Sequence, residues 1–243
     1  MSANTFILDG REIPFTPGQT IIEAATLAGV YIPHLCHHPE FKPHGSCKLC
    51  TVLVNGRHCS ACTMPAAAGQ QVLSATEELN QERRALTQML FVEGNHICPG
   101  CEKSGQCRLQ AVAYFLGMLD NHFPHFFPVR KVDASHPDVM LDLDRCILCE
   151  LCVRASREVD GKNVFGLAGR GLGTRLVVNS PSGLLKDSAL AATDRAAQIC
   201  PVGAILIKRR GFQAPIGERL FDRRDIAQVS LETEVPVLEG RHG

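Results

Sequence analysis

Three cysteines recur at every third position in the stretch CILCELC: Cys146, Cys149 and Cys152. Thiolates spaced this closely suit a small inorganic core, because each caps its own iron and a tight loop turns them inward together with its backbone amides. A [4Fe–4S] core needs a fourth ligand. Ferredoxin-type sequences supply it as a cysteine followed by proline, and the stretch ICPVGAI contains Cys200–Pro201. Cys146, Cys149, Cys152 and Cys200 are therefore expected to hold one [4Fe–4S] cluster. A structural zinc site is the plainer reading of clustered cysteines, but zinc favours paired C-x2-C knuckles in tetrahedral geometry. A second C-x2-C-x2-C run is missing, so a single cluster is expected here rather than the pair of a two-cluster ferredoxin.

Two further constellations precede this one. In the first, ten residues separate Cys36 from Cys47-Lys-Leu-Cys50, and eleven more lead to Cys62. Plant-type [2Fe–2S] ferredoxins use C-x4-C-x2-C and a distant fourth cysteine; the first gap is longer here, but the strand–turn–strand–helix opening suits a β-grasp ferredoxin, so a [2Fe–2S] cluster is expected. Cys36-His37-His38 raises a Rieske-type alternative. That would need a histidine in the second pair, where Cys50 stands, so four thiolates are expected and His37 and His38 are read as loop residues. Cys59 competes with Cys62 for the fourth position, and one of the two is left over. In the middle constellation, HICPGCEKSGQC, Cys98, Cys101 and Cys107 leave one iron of a [4Fe–4S] cluster without a thiolate. His96 is adjacent and can offer a neutral nitrogen. The twelve cysteines then divide into four, three and four, with one spare.

The elements that must position these groups read as an α+β chain. TFIL, a turn at Asp9-Gly10 and EIPF suggest a hairpin. Thr20 and Glu23 have capping-box spacing before an apolar run, and Gly29 stands where a helix C′ residue belongs. CTVLV with Asn55-Gly56 predicts a second hairpin, so the opening has the order of a β-grasp ferredoxin. A helix is expected from Thr76 to Val92, with Leu79, Leu86, Met89 and Leu90 on one side, ended by Gly94. Another begins near Gly105, with a stripe at Leu109, Val112, Leu116 and Leu119. HFPHFFP at 122–128 reads as a linker or irregular loop. A strand at 139–143, a short helix at 153–159 and a strand at 174–178 complete the pattern. The expected organisation is a [2Fe–2S] β-grasp domain at 1–75, a helical His/Cys3 [4Fe–4S] module at 76–130, a ferredoxin-like [4Fe–4S] domain at 131–210, and an extended tail for partner docking at 211–243.

Composition narrows the function classes. Lys plus Arg and Asp plus Glu are 25 each, so no global basic field exists to attract nucleic acid. No apolar run approaches the ~18–20 residues of a membrane span, and the N-terminus lacks a secretory pattern. Cysteines clustered at metal-binding spacings, without such a signal, suggest the cytoplasm rather than a disulfide framework. No G-x-G-x-x-G, Walker loop or nucleophile–base set is visible; Gly169, Gly171 and Gly173 have the wrong spacing.

The order of the three constellations resembles the N-terminal part of the large iron–sulfur subunit of respiratory complex I, and the opening of several iron-only hydrogenases. Those chains continue well past the third constellation, whereas residues 201–243 follow Cys200 here. With FVEGNHICPGCEKSGQC, RCILCELCVR and CPVGAILIKRRGFQAPIGERLFD, the sequence looks like the small iron–sulfur diaphorase subunit (HoxU type) of soluble NAD-reducing [NiFe] hydrogenases. The resemblance implies one [2Fe–2S] and two [4Fe–4S] clusters, and no catalytic site in this chain. It implies a flavoprotein partner that binds FMN and NAD, and partner hydrogenase subunits that carry the Ni–Fe site. It also favours Cys62 over Cys59, because Cys62-Thr-Met-Pro is similar to the family's fourth-ligand segment. One departure stands out: complex I relatives place the ligand histidine four positions before the first cysteine of the middle module. Gly94 occupies that position here, with His96 two residues on. The rival readings are an accessory subunit of an NAD-linked formate dehydrogenase or complex I-like NADH oxidoreductase, and, from another class, a zinc-stapled interaction protein.

Overall fold

Alternation of apolar and polar residues sets the strands of the first half. A computed structural model describes residues 4–120 and 122–234. In it Thr5–Leu8 (β1) and Arg11–Pro14 (β2) form the expected hairpin, with Phe6, Leu8 and Ile13 facing inward. Thr51–Val54 (β3) and Arg57–Ser60 (β4) form the second, with Val52 and Val54 inward. Both turns need positive φ at two successive residues. Asn55-Gly56 (φ 49° and 79°) and Asp9-Gly10 (φ 50° and 81°) meet that need, the signature of a two-residue turn matched to strand twist. Gln71–Leu73 (β5) enters between the hairpins, parallel to β1 and antiparallel to β3, giving the order β2-β1-β5-β3-β4. The helix Ile21–Leu27 (α1) starts on the predicted capping box, Thr20 with Glu23. It ends where Gly29 and Val30 donate back to Thr26 and Ala25, a Schellman closure. Ile21, Ile22, Ala24 and Ala25 pack into one core with Phe6, Leu8, Ile13, Val52 and Val72.

The remaining elements form smaller layers. They are the helices Glu77–Glu93 (α2) and Arg108–Phe115 (α3), the strands Val132–Asp133 (β6) and Val139–Asp142 (β7), the helix Leu151–Glu158 (α4), the hairpin Phe165–Ala168 (β8) with Arg175–Val178 (β9), the turn of helix Arg195–Gln198 (α5) and the strand Ile205–Ile207 (β10). β10, β7 and β6 form one antiparallel sheet, and β8 and β9 a second. The chain divides into two units: residues 4–86 with 224–234, and Thr87–Arg223.

The structure departs from the sequence expectation in three places. Met89 is 49 % exposed; the buried side of α2 is instead partly polar, with Arg83, Thr87 and Gln88 beside Leu79 and Val92. Leu119 is 94 % exposed, because α3 stops at Phe115. Gly117 (φ 67°) turns the chain, and Gly117 and Met118 donate to Tyr114 and Ala113, so the predicted stripe loses its last member. Finally, the expected extended tail contains a helix, Ile226–Thr233 (α6). Its N-cap is Asp225, which accepts from the Gln228 amide at 2.8 Å, and Ile226 and Val229 are buried. The cap and the apolar pair at i, i+3 are this helix's local signals, and burial of that pair supplies what so short a helix lacks alone. Residues 235–243 of the expected tail lie outside the described residues. HFPHFFP forms no regular element; the Phe126 amide donates to the Val92 carbonyl at 3.0 Å.

Arg83 explains the polar face of α2. It is 2 % exposed, and its guanidinium donates to the carbonyls of Leu49, Ser74 and Thr51 at 3.0, 2.7 and 2.8 Å, and to Asn80 and Ser74 side chains. One planar fork thus ties the Cys47–Cys50 loop and the start of β3 to α2. Arg83→Met is expected to cost ~3 kcal/mol or more, because two buried carbonyls and a part-buried one lose their donor. Arg83→Lys should recover little, since one ammonium cannot reproduce the fork. Thermal unfolding of the two variants beside the parent protein checks both.

Candidate metal centres

Cys36 lies in the loop after α1, Cys47 and Cys50 flank a tight turn, and Cys62 follows β4. Lys48, inside that turn, has φ 58°. This left-handed conformation is costly for a residue with a side chain and persists only where the surroundings enforce it. Its effect is to curl Cys47 and Cys50 toward a common side. The Cys47 amide donates to Cys36 Sγ at 3.4 Å, and the Cys50 and Cys62 sulfurs are 3.4 Å apart. Cys36, Cys50 and Cys62 are buried. Cys59 is elsewhere: it is paired opposite Val52 within β4 and half-buried, on a shallow surface depression with Lys48 and His58. His37 packs edge-on to His34 at 5.3 Å, and His38 against Phe41 at 5.6 Å. His34 was not singled out by its sequence context. It is buried, holds the Ile32 carbonyl through Nδ1 at 2.7 Å, and meets Glu234 through Nε2 at 2.7 Å. That pair fastens the end of α6 to the segment leading into Cys36.

The middle constellation follows α2. Asn95 is pinned by its amide to the Asp144 carbonyl at 2.9 Å. The chain then turns sharply, with the Cys98 and Gly100 amides donating to His96 and Ile97, and Cys98–Gly100 make one 3-10 turn. Cys107 is the N-cap of α3, where the helix dipole favours a thiolate. His96, Cys98, Cys101 and Cys107 line one cavity, closed by Phe91 and Leu109. His96 Nε2 is buried and has no hydrogen-bond partner. Burial, then the Arg145 charge, then His125 and Arg130 take this imidazole down to about 4. It is therefore neutral at ordinary pH, the form a metal ligand must take. His122 and His125 do not line this cavity; His122 sits on the surface beside Asp120.

Cys146, Cys149, Cys152 and Cys200 line a second cavity, walled by Leu148, Leu167, Leu176 and Pro201. Leu148 and Glu150, two of the four residues between the first three cysteines, have φ 52° and 59°. Two left-handed residues in seven let a short loop point three thiols to one side. Cys152 is already inside α4, and Cys200 follows α5. The Pro201 carbonyl accepts the Arg108 amide at 2.8 Å, which joins the last constellation to the start of α3.

The donor chemistry fits iron. Burial pushes Cys107 up to about 12 and Cys146 up to about 11, and it raises Cys152 and Cys98 as well, with neighbouring thiols adding to the rise. In the first constellation, hydrogen bonding with Cys47 holds Cys36 below the ordinary thiol range, while Cys36 pushes Cys47 up. Several thiols in one cavity cannot all ionise unless a strongly positive core binds them as they lose their protons. The sequence could not show Arg145. Its Nη1 donates to Cys101 Sγ at 3.6 Å and to Glu102 at 2.8 Å, and its Nε meets Asp142 at 2.9 Å.

Comparison with known proteins places iron–sulfur families over the same three stretches of the chain. Residues 3–77 match the 2Fe-2S iron-sulfur cluster binding domain, residues 83–122 the NADH-ubiquinone oxidoreductase-G iron-sulfur binding region, and residues 139–207 the 4Fe-4S single cluster domain. These matches define an iron–sulfur protein of the class found among NAD-linked oxidoreductases. The chain is 40 % identical to the NAD-reducing hydrogenase HoxS subunit gamma of Cupriavidus necator, over 93 % of this chain and 97 % of that one. It belongs to that family of NAD-reducing hydrogenase subunits. A chain in a crystal structure of NAD+-reducing [NiFe]-hydrogenase in the H2-reduced state superposes with a TM-score of 0.92 at 57 % identity, covering 96 % of this chain and 99 % of that one. The NADPH-Fe(3+) oxidoreductase subunit alpha of Geobacter sulfurreducens is 32 % identical, and the mitochondrial NADH-ubiquinone oxidoreductase 78 kDa subunit of Candida albicans 34 %. This chain spans only 24 % and 29 % of their lengths. Among the described residues no helix is long and apolar enough to cross a membrane.

Gly203 tests how tightly the middle cavity is built. A methyl group there would stand 2.8 Å from Cys101 Sγ, whereas one at Gly100 would meet nothing within 4 Å. Gly203→Ala is expected to destabilise by about 1–3 kcal/mol through overpacking and to lower iron retention, with Gly100→Ala near the parent. Unfolding midpoints and iron per chain, measured on both variants, report this.

Proposed function

We propose that this chain is the iron–sulfur relay of a NAD-reducing hydrogenase. It carries single electrons between a flavoprotein subunit that binds FMN and NAD and the hydrogenase subunits that carry the Ni–Fe site, and it has no catalytic site of its own. One observation carries the reading: the chain matches hydrogenase-complex chains along almost its whole length, and its cysteines are clustered at three places in the sequence. In this reading Cys36, Cys47, Cys50 and Cys62 hold a [2Fe–2S] cluster. His96, Cys98, Cys101 and Cys107 hold one [4Fe–4S] cluster, and Cys146, Cys149, Cys152 and Cys200 a second, within domains 1–75, 76–130 and 131–210. When bound, the clusters supply one-electron carrying capacity. The protein supplies the thiolates, the neutral imidazole, dry cavities and the backbone that fixes them. Residues 211–243 would dock a partner, and the cytoplasm is the compartment that suits reduced thiols. The reading as a formate dehydrogenase or complex I-like subunit has weaker support, because relatives of the latter kind are 34 % and 30 % identical, against 40 % and 57 % for the hydrogenase chains.

The relay is tested in the intact complex. With Cys149→Ser, hydrogen-dependent NAD+ reduction should fall to background. NADH-dependent dye reduction at the flavin end and hydrogen-dependent dye reduction at the nickel end should persist. Unchanged hydrogen-dependent NAD+ reduction would remove the relay role.

The ligand sets are tested by composition and spectroscopy. Anaerobically prepared protein should hold about ten irons per chain with matching acid-labile sulfide; zinc without sulfide would favour the zinc-stapled alternative. Cys59→Ser should keep the [2Fe–2S] EPR signal and Cys62→Ser should lose or shift it. The opposite pattern would exchange the two cysteines.

A further inference from the structure

Arg145 is the residue immediately before Cys146, yet its side chain turns away from that constellation and reaches the middle one. Its Nη1 donates to Cys101 Sγ at 3.6 Å and to Glu102 Oε2 at 2.8 Å. Its Nε is held by Asp142 Oδ2 at 2.9 Å, and Asp142 is itself fixed as the acceptor for the Asp144 amide at 3.0 Å. The guanidinium plane therefore has two anchors. Its side chain is 19 % exposed, and Asp142 and Glu102 are 10 % and 31 % exposed, so water screens the arrangement only in part. Gly203 leaves the space in which it sits: a Cβ there would lie 3.4 Å from Arg145 Cδ and Nη1 and 2.8 Å from Cys101 Sγ.

An N–H donated to a ligand sulfur withdraws electron density from it, and a nearby positive charge favours the more negative, reduced form of a cluster. Hydrogen bonds to the sulfurs and local charge are established levers on cluster potential. Glu102 and Asp142 oppose the charge of Arg145, so the potential reflects the balance of the three. We propose that Arg145 is a positioning residue that holds the potential of the middle cluster up, and that Glu102 offsets part of its effect. The contact also lets one residue touch both ligand sets, through its side chain at Cys101 and its backbone at Cys146. This inference rests on the ligation of iron–sulfur clusters proposed above.

The test is a redox titration of the intact complex, followed by EPR, after iron and acid-labile sulfide have been quantified. The Cys107→Ser variant identifies the middle-cluster signal by its loss. Arg145→Met should keep the iron content and move the middle-cluster midpoint to a more negative value, leaving the [2Fe–2S] midpoint in place. Arg145→Lys should shift it in the same direction by less, because charge is kept but the fork is not. Glu102→Gln should shift it the opposite way. A merely structural role would not produce shifts of opposite sign. An unchanged midpoint in an iron-replete Arg145→Met, or shifts of the same sign in Arg145→Met and Glu102→Gln, would overturn the proposal and leave the ligation intact. If Arg145→Met loses the middle cluster, Glu102→Gln decides alone, and an unchanged midpoint there overturns it. Parent complex without iron and sulfide would overturn the ligation reading and this inference together.

Discussion

Ionised sulfur atoms repel one another, and burial makes each of them harder to ionise. Everything in this chain is arranged around that conflict. Four cysteines line one cavity and three cysteines with a neutral histidine line another, at places where a protein without a positive core has no electrostatic reason to gather them. Bringing them together costs backbone strain as well. Lys48, Leu148 and Glu150 are all left-handed residues with side chains inside the cysteine loops. Loops of this kind hold only if the surrounding elements leave them no alternative.

Among the groups that fix these loops are buried and half-buried polar side chains. Arg83 gathers the carbonyls of Leu49, Thr51 and Ser74, so the backbone on either side of Cys50 is fixed by one guanidinium. His34, two residues before Cys36, is held at both ring nitrogens. Arg145 is held by two carboxylates and reaches Cys101. Each is a multiple donor or acceptor whose partners come from distant parts of its own unit. Such groups specify a unique arrangement, because any shift leaves a buried polar atom without its partner.

The α+β class, the cysteine groupings and the opening hairpins were legible in the sequence, since spacing, capping residues and Asn-Gly turns act over a few residues. The His96 cavity was legible by arithmetic: three cysteines and one adjacent histidine. What could not be read was of two kinds. Stripe arguments for α2 and α3 assumed that every apolar residue at helical spacing is buried, yet Met89 is exposed while the polar Arg83 is buried, and Leu119 lies beyond the glycine closure at Gly117. Tertiary partners were the other kind. Arg145 reads as an ordinary charge beside a motif, and His34 and Glu234 stand 200 positions apart; no local pattern announces either contact. The α6 helix was missed because its apolar pair makes sense only against the surface it covers.

The joining of His34 to Glu234 has a consequence for how the chain is made. The first unit holds residues 4–86, but it also includes 224–234. During synthesis at about 5–20 residues per second, N-terminal domains usually fold as they emerge. Here the sheet and α1 can assemble early, while the last clamp on the Cys36 segment leaves the ribosome only after the whole intervening unit has been translated. The contact that holds the segment before Cys36 can therefore form only after the whole intervening unit has been translated.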